Sequence, residues 1–420
     1  MSSPIPAPIL FMAESATLAH VVRLLTLADS LELPRSSIHF ATASHYRNWI
    51  EARGMSFVPL QCQDTGAFQQ KLDQGRSVID KHLLSAQVKE DIEILNSIRP
   101  QIVVGDFRLS LAISARSLHI PYLGIANSYW TRLTPGKMPL PELSFLKPIG
   151  RSISELLFKA SRELIVPHIL QRHADDFNIV RAQYGMTPYR SIIDAYTDAD
   201  WIGFADASEV VTPSSQFGSR YTMLGPLNGR VDCPQPSWWN ELNDDQPIVY
   251  LNLGSSGKHE LAPLLIEALS ELPIQIIAGS IEPTERPISY SSGAKLFSAR
   301  VLPGDAVCQK AQVVICNGGA PSSYQALAAG RPVIGITRNM DQALNMQSMS
   351  PFSFVRTFSA WDCPLGEITS CTKEFMNHQT IHDDAQAFKT RLLAYDHKAL
   401  FKQALMKTVG DQKRSPIYVQ

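Results

Sequence analysis

The sequence predicts an α/β protein built on two doubly wound parallel sheets, and three observations carry that expectation. Short apolar runs alternate with segments of helical periodicity through both halves of the chain. At 420 residues the chain is too long for one hydrophobic core and suits two α/β domains. A proline-rich, weakly periodic stretch separates the halves.

In the first half, residues 9–12 read as a strand and 20–31 as a helix, with Val21, Leu24, Leu25, Ala28 and Leu31 at helical spacing. Strands at 37–41 and 56–60 flank a helix at 46–53, and strands at 102–105 and 122–126 flank a helix at 109–117. Strands joined through helices run parallel. The second half repeats the rhythm: strand 248–253, helix 261–269, strand 275–278, strand 311–316, helix 322–329, strand 333–336, and a helical end over 383–409. The expected domains are 1–225 and 247–394, with a linker over 226–246 that contains Pro226, Pro234, Pro236 and Trp238-Trp239. Two Rossmann-like domains facing across a cleft would place the carboxyl ends of their strands, and any ligand, in that cleft.

Two segments of the first half stand apart. Residues 131–148, with Pro135, Pro139, Pro141 and Pro148, read as a long ordered loop. After it, Ile149, Ile153, Leu156, Leu157, Ala160 and Leu164 share one face of a helix. Its other side mixes Lys147, Arg151, Lys159 and Arg162 with Glu155 and Glu163, which favours a helix covering its own domain over one touching a membrane surface.

A formal charge of -1 argues against nucleic acid as a partner. The start, Met1-Ser2-Ser3-Pro4-Ile5-Pro6, has no basic n-region and no apolar h-region, so no signal peptide is expected. No apolar run approaches the roughly 20 residues of a membrane span. Six cysteines, Cys62, Cys233, Cys308, Cys316, Cys363 and Cys371, lack ligand spacing and read as reduced thiols, which points to a cytoplasmic protein without a metal. The sequence is silent on oligomeric state.

The chemistry concentrates in Asn317-Gly318-Gly319-Ala320-Pro321-Ser322-Ser323 and the later Asp341-Gln342. A glycine turn between a strand and a helix leaves backbone N–H groups unpaired and directs the positive end of the helix dipole outward, a site for phosphate or diphosphate. An acid–amide pair at the end of the next strand can hold hydroxyls. Cradle and hydroxyl reader together suggest a nucleotide sugar. Each residue also has a plainer reading: the glycines can serve the turn alone, the serines can cap the helix, and Asp341-Gln342 can be an ordinary loop.

The run Asn317-Gly318-Gly319, Ser322-Ser323, Gly330-Arg331-Pro332, Asp341-Gln342 and Asn345 resembles the donor-binding signature of family-one glycosyltransferases, the inverting UDP-sugar-dependent enzymes. Leu302-Pro303-Gly304-Asp305 resembles that family's nucleobase loop, and Leu253-Gly254-Ser255-Ser256-Gly257 its turn beside the diphosphate. Ala19-His20-Val21-Val22-Arg23 stands where the family carries G-H-x-x-P, and Asp106 where it carries the aspartate that pairs with the histidine. Asn317 replaces the usual histidine, Gln325 the usual ribose-binding acid, Thr337 a proline and Ala19 a glycine.

The resemblance implies a GT-B architecture, with a helix and tail over 395–420 packing back on the first domain. It makes His20 the base and Asp106 its orienting partner. Ser255, Ser256, Leu302, Asn317, Gly318, Gly319, Ser322, Ser323, Gln325, Asp341 and Gln342 become the donor site, with no cofactor beyond the nucleotide sugar. UDP-glucose is the implied donor, a dTDP-sugar next, and the acceptor a small apolar or lipid-like molecule. A neutral imidazole, with an ordinary pKa of about 6.5, suits removal of a hydroxyl proton at neutral pH, and a carboxylate behind it fixes the tautomer. His20 as a plain helix residue and Asp106 as an N-cap are the structural alternatives. A catalytically degenerate sugar-nucleotide-binding partner and a UDP-sugar epimerase are the rival functions.

Overall fold

A computed structural model of the chain describes residues 5, 7–132, 138–140, 143–213, 215, 218–229, 233–254 and 256–411. The chain divides into two compact units. The first comprises Met1–Met138, Leu157–Gly229 and Asp396–Gln420, the second Pro139–Leu156 and Arg230–Tyr395. Each is built on a doubly wound sheet, the class that the alternation predicts.

The first sheet holds β1 (Ile9–Ala13), β2 (Ile38–Thr42), β3 (Ser56–Pro59), β4 (Ile102–Asp106), β5 (Tyr122–Ala126), β6 (Trp201–Phe204) and β7 (Tyr221–Met223), in the order β3-β2-β1-β4-β5-β6-β7. All its pairings are parallel. Every residue of β1 is buried, as a strand covered on both faces must be. Strand order reverses between β1 and β4, so a topological switch point lies at their carboxyl ends, where Ala13 pairs with Asp106. The core on one face joins Phe11, Leu24, Leu27 and Phe40 to Phe401, Ala404 and Leu405 of the helix His397–Asp411. The rings of Phe11 and Phe401 lie 6.1 Å apart, and Lys407 Nζ sits 4.8 Å from the ring of Trp201.

The second sheet holds β8 (Ile248–Asn252), β9 (Gln275–Gly279), β10 (Ile288–Ser289), β11 (Lys295–Ala299), β12 (Val313–Cys316), β13 (Val333–Thr337) and β14 (Val355–Ser359), in the order β10-β11-β9-β8-β12-β13-β14. The short β10 runs antiparallel at the edge, beside β11. Here the switch point falls between β8 and β12.

Three expectations need revision. Trp238, in the stretch read as a linker, is 1% exposed and donates from Nε1 to the carbonyl of Ser298 in β11 at 3.1 Å, so the turn Ser237–Glu241 is a packed part of the second unit. The amphipathic helix is longer than its apolar stripe, spanning Arg151–Gln183, and that stripe does not cover the protein. Ile153, Leu156, Leu157 and Leu164 are 56%, 69%, 57% and 82% exposed, while Ser154 and Val166 are the buried positions of that stretch. The helical end is two helices, Gln379–Leu393 and His397–Asp411. Of the expected loop 131–148, residues 133–137, 141 and 142 lie outside the described residues. Among the described residues no helix is long and apolar enough to cross a membrane.

Candidate active site

In the first unit the loop after β1 leads into the helix Leu18–Asp29, whose N-cap Thr17 makes no side-chain capping bond. His20 lies in the first turn of that helix and Asp106 is the last residue of β4, so the switch point brings them together: His20 Nδ1 is 2.8 Å from Asp106 Oδ1. Asp106 is 1% exposed and the imidazole 15%. Phe107, the next residue, takes a left-handed φ of 56° and lays its ring against His20, with centroids 4.8 Å apart and planes 7° from parallel. A left-handed phenylalanine is strained, and such strain persists where surrounding contacts impose it. With Nδ1–H donating to Asp106, Nε2 is left with the lone pair a general base needs.

Sequence reasoning missed the residues behind this pair. Arg23, one turn after His20, is buried and grips both oxygens of Asp106, from Nε to Oδ2 at 2.8 Å and from Nη2 to Oδ1 at 2.7 Å. Its Nη1 donates to Asn127 Oδ1 at 2.6 Å, and Asn127 Nδ2 donates to Asp206 Oδ1 at 3.0 Å. Burial pushes the Asp206 carboxyl up, against the pull of its hydrogen bonds from Ser128 and Asn127. A second buried cluster is centred on Arg108, which is fully buried and pairs with Glu14, Asp91 and Glu90. Burial raises the Glu14 carboxyl too, opposed by Arg108 and the Gln63 N–H. The available signal for Arg23 was its place at the family's proline. Asn127 and Asp206 follow β5 and β6, and no motif marks them.

Beside His20 stands an aromatic wall. Phe68 meets Phe107 edge-on at 5.8 Å, Phe107 meets Tyr196 at 5.8 Å, and Tyr196 stacks on Trp130 at 5.1 Å. Such a wall offers apolar area and ring faces to a bound molecule.

In the second unit the loops after β8, β12 and β13 converge. Asn317 Nδ2 donates to Ser256 Oγ at 3.2 Å, and Gln342 Nε2 reaches the same oxygen at 3.1 Å. Asn317 Oδ1 accepts from the N–H of Gly319 at 3.0 Å and so shapes the turn. Gly318 has φ 74°, and a Cβ there would come within 2.6 Å of Met346 Cγ and 2.9 Å of Thr337 Cγ2. The turn therefore requires glycine on two counts. The helix Ala320–Ala328 begins with Gly319 as N-cap, no side-chain cap and a proline in its first turn, so its electropositive end is uncapped by side chains.

Several expected contacts point elsewhere. Ser323 is 0% exposed; its hydroxyl donates to the carbonyls of Gly319 and Ala320 and accepts from Asn345 Nδ2 at 2.9 Å. Ser322, half-buried, is the serine of the pair nearer the surface. Gln342, expected to read sugar hydroxyls, is 1% exposed: its Oε1 accepts from Arg338 N at 2.8 Å in a capping box with Asn339, and its Nε2 ties to Ser256. Asp341, half-buried in the first turn of the helix Met340–Met349, is left as the hydroxyl-reading candidate. Gln325 donates to Asp305 Oδ1 at 2.8 Å and braces the loop that also holds the buried Leu302. Ser255 lies outside the described residues.

No protein-family model matches the chain. It is 37% identical over 342 residues, 81% of its own length and 78% of the relative's, to a PGL/p-HBAD biosynthesis glycosyltransferase of Mycobacterium tuberculosis (strain ATCC 25177 / H37Ra). It is 36% identical over 342 residues, 81% of the chain and 74% of the relative, to a PGL/p-HBAD biosynthesis rhamnosyltransferase of Mycobacterium bovis (strain BCG / Pasteur 1173P2). Among solved structures, the glycotransferase of kitacinnamycin superposes with a TM-score of 0.69 at 14% identity, over 97% of this chain and 100% of that one. The spinosyn rhamnosyltransferase complexed with thymidine diphosphate gives a TM-score of 0.61 at 14% identity, over 95% of this chain and 99% of that one. Those structures share the fold, the relatives share the sequence over most of its length, and this chain belongs to the family-one glycosyltransferases of GT-B fold.

Proposed function

We propose that the enzyme is a metal-independent inverting transferase that moves a hexose from a nucleoside diphosphate sugar to a hydroxyl of a small apolar or lipid-like acceptor. The observation that carries this reading is the 2.8 Å contact between His20 and Asp106 beside the aromatic wall of Phe107, Tyr196 and Trp130. His20 Nε2 takes the acceptor hydroxyl proton as that oxygen attacks the anomeric carbon. The bond from that carbon to the diphosphate oxygen breaks on the opposite face, and configuration inverts. The proton stays on the imidazole, and the electron pair leaves with the diphosphate. Asn317, the uncapped helix end after Gly319 and Ser322 stabilise that leaving charge, and Asp341 holds sugar hydroxyls.

UDP-glucose is the donor that the family resemblance suggests. A relative named rhamnosyltransferase and a fold neighbour holding thymidine diphosphate support a dTDP-deoxyhexose ahead of it. The decisive experiment incubates the protein with dTDP-rhamnose or UDP-glucose and a long-chain alkylphenol, with and without EDTA, and assigns the anomer by NMR. Transfer with inversion, unaffected by EDTA, is expected; transfer with retention, or none from either donor, overturns the reading. The exposed apolar stripe of the helix Arg151–Gln183 supports contact with a membrane surface, and co-sedimentation with anionic vesicles, lost in Leu156→Glu/Leu164→Glu, tests it.

A further inference from the structure

Arg23 is buried one turn after His20 and holds both oxygens of Asp106, and no part of the reaction as written above uses it. It is 6% exposed, so its charge is held only because the site compensates it. Burial works against that charge, and Asp106, with Tyr129 and Asp206 on the same side, outweighs it. Asp106 Oδ1 is thereby shared between two nitrogens, Arg23 Nη2 at 2.7 Å and His20 Nδ1 at 2.8 Å. Arg23 Nη2 also lies 2.9 Å from His20 Nδ1 itself.

The three atoms form a triangle whose charge balance depends on the imidazole's proton. A guanidinium keeps its protons and can only donate. With Nδ1–H donating to Asp106, the guanidinium contact with Nδ1 sets donor against donor whether or not Nε2 carries a proton, so Arg23 acts on the His20 equilibrium through its charge. In charge terms, Asp106 alone would favour an imidazolium, whereas the Arg23–Asp106 pair is neutral. We propose that Arg23 is a positioning residue that fixes Asp106 from both oxygens and offsets its charge, so that His20 returns readily to the neutral form after each transfer. This rests on the reading of His20 as the base. Glu14, just after β1, also interacts electrostatically with His20, and the Phe107 ring covers one face of the imidazole.

The test follows the imidazole directly, without an assay. The full chain carries 11 histidines, so the protein is labelled at histidine 13Cε1 and the His20 signal is identified by its loss in His20→Gln. In Arg23→Gln the midpoint of the His20 titration should rise by about one pH unit above the parent's, because the carboxylate is no longer offset. An unchanged or lowered midpoint overturns the proposal. Should Arg23→Gln fail to fold, Asp106→Asn is compared with Arg23→Gln/Asp106→Asn, which buries no unpaired charge at this pair. The double variant should titrate about one pH unit above the single, and coincidence of the two overturns the proposal. The outcome is independent of whether any sugar is transferred, so a failed transfer assay and a failed titration mean different things.

Discussion

The two switch points solve different electrostatic problems with different materials. In the first unit, the carboxyl ends of the strands gather buried ionisable groups: Asp106, Arg23 and Asp206 behind the part-buried His20 in one network, Glu14, Arg108 and Asp91 in another. In the second, the residues around the glycine turn are neutral: Asn317, Ser256, Gln342, Asn345 and Ser323, joined by amide and hydroxyl hydrogen bonds. Moving a proton needs a group whose charge changes and neighbours that hold it to one geometry. Holding a diphosphate needs donors that stay in place while charge grows elsewhere, which backbone N–H groups and amides provide without charges of their own.

That contrast can be broken from either side. The largest expected effect is His20→Gln, which should lower transfer about 10²–10⁴-fold while leaving the thermal shift induced by thymidine diphosphate unchanged. A parallel loss of that shift would show that the two sites are not separable in this way. Arg108→Met leaves Glu14 and Asp91 buried without their cation and should cost about 3–5 kcal/mol in urea unfolding. A cost below about 1 kcal/mol would mean that water reaches the cluster. Gly318→Ala forces a Cβ against Met346 and Thr337 at a left-handed φ, with an expected loss of about 1–3 kcal/mol and weaker nucleotide binding. Asn317→Ala removes the amide that bonds Ser256 and the Gly319 N–H, and with it the neutral hydrogen bond proposed for the diphosphate, and should weaken thymidine diphosphate binding about threefold to tenfold by calorimetry. A loss beyond a hundredfold would give Asn317 the weight of a charged group.

The smallest effect is a drift with pH. The Asp206 carboxyl is raised in the folded state, so its contribution favours folding below the ordinary carboxylate range and is lost as pH rises through the raised value. Asp206→Asn lacks that loss. The gap in Tm between variant and parent should therefore narrow from pH 4 to pH 7; a widening gap would contradict the burial argument.

Much of this was legible in the chain. Strands β1, β2, β3, β4, β5, β8, β9, β12 and β13 announce themselves as short runs between helical segments. Strands β6 and β11 do not: Trp201-Ile202-Gly203-Phe204 is four residues long, and Lys295–Ala299 emerges from a serine- and glycine-rich turn. Strand β14 lies at the sheet edge and carries exposed Arg356 and Thr357, so its pattern is half polar. At the sites, the family resemblance pointed to His20 and Asp106, and the strand–turn–helix pattern pointed to the glycine turn. Neither could say which way Ser323 and Gln342 point, since a motif places a residue on a loop and packing decides its direction. Asn127 and Asp206 were invisible because 79 residues separate two groups that neighbouring parallel strands bring within 3.0 Å.

The helix His397–Asp411 has a consequence for the order of events during synthesis. Its Phe401, Ala404 and Leu405 belong to the same core as Phe11 and Phe40 of β1 and β2. A chain emerging from the ribosome makes the first strands of that core well before the helix that seals it. The second unit, encoded in between, can complete its own sheet while the first still exposes the face of β1 that Phe401 will cover. That face of β1 stays open to other chains until residues 397–411 have left the ribosome and packed on it.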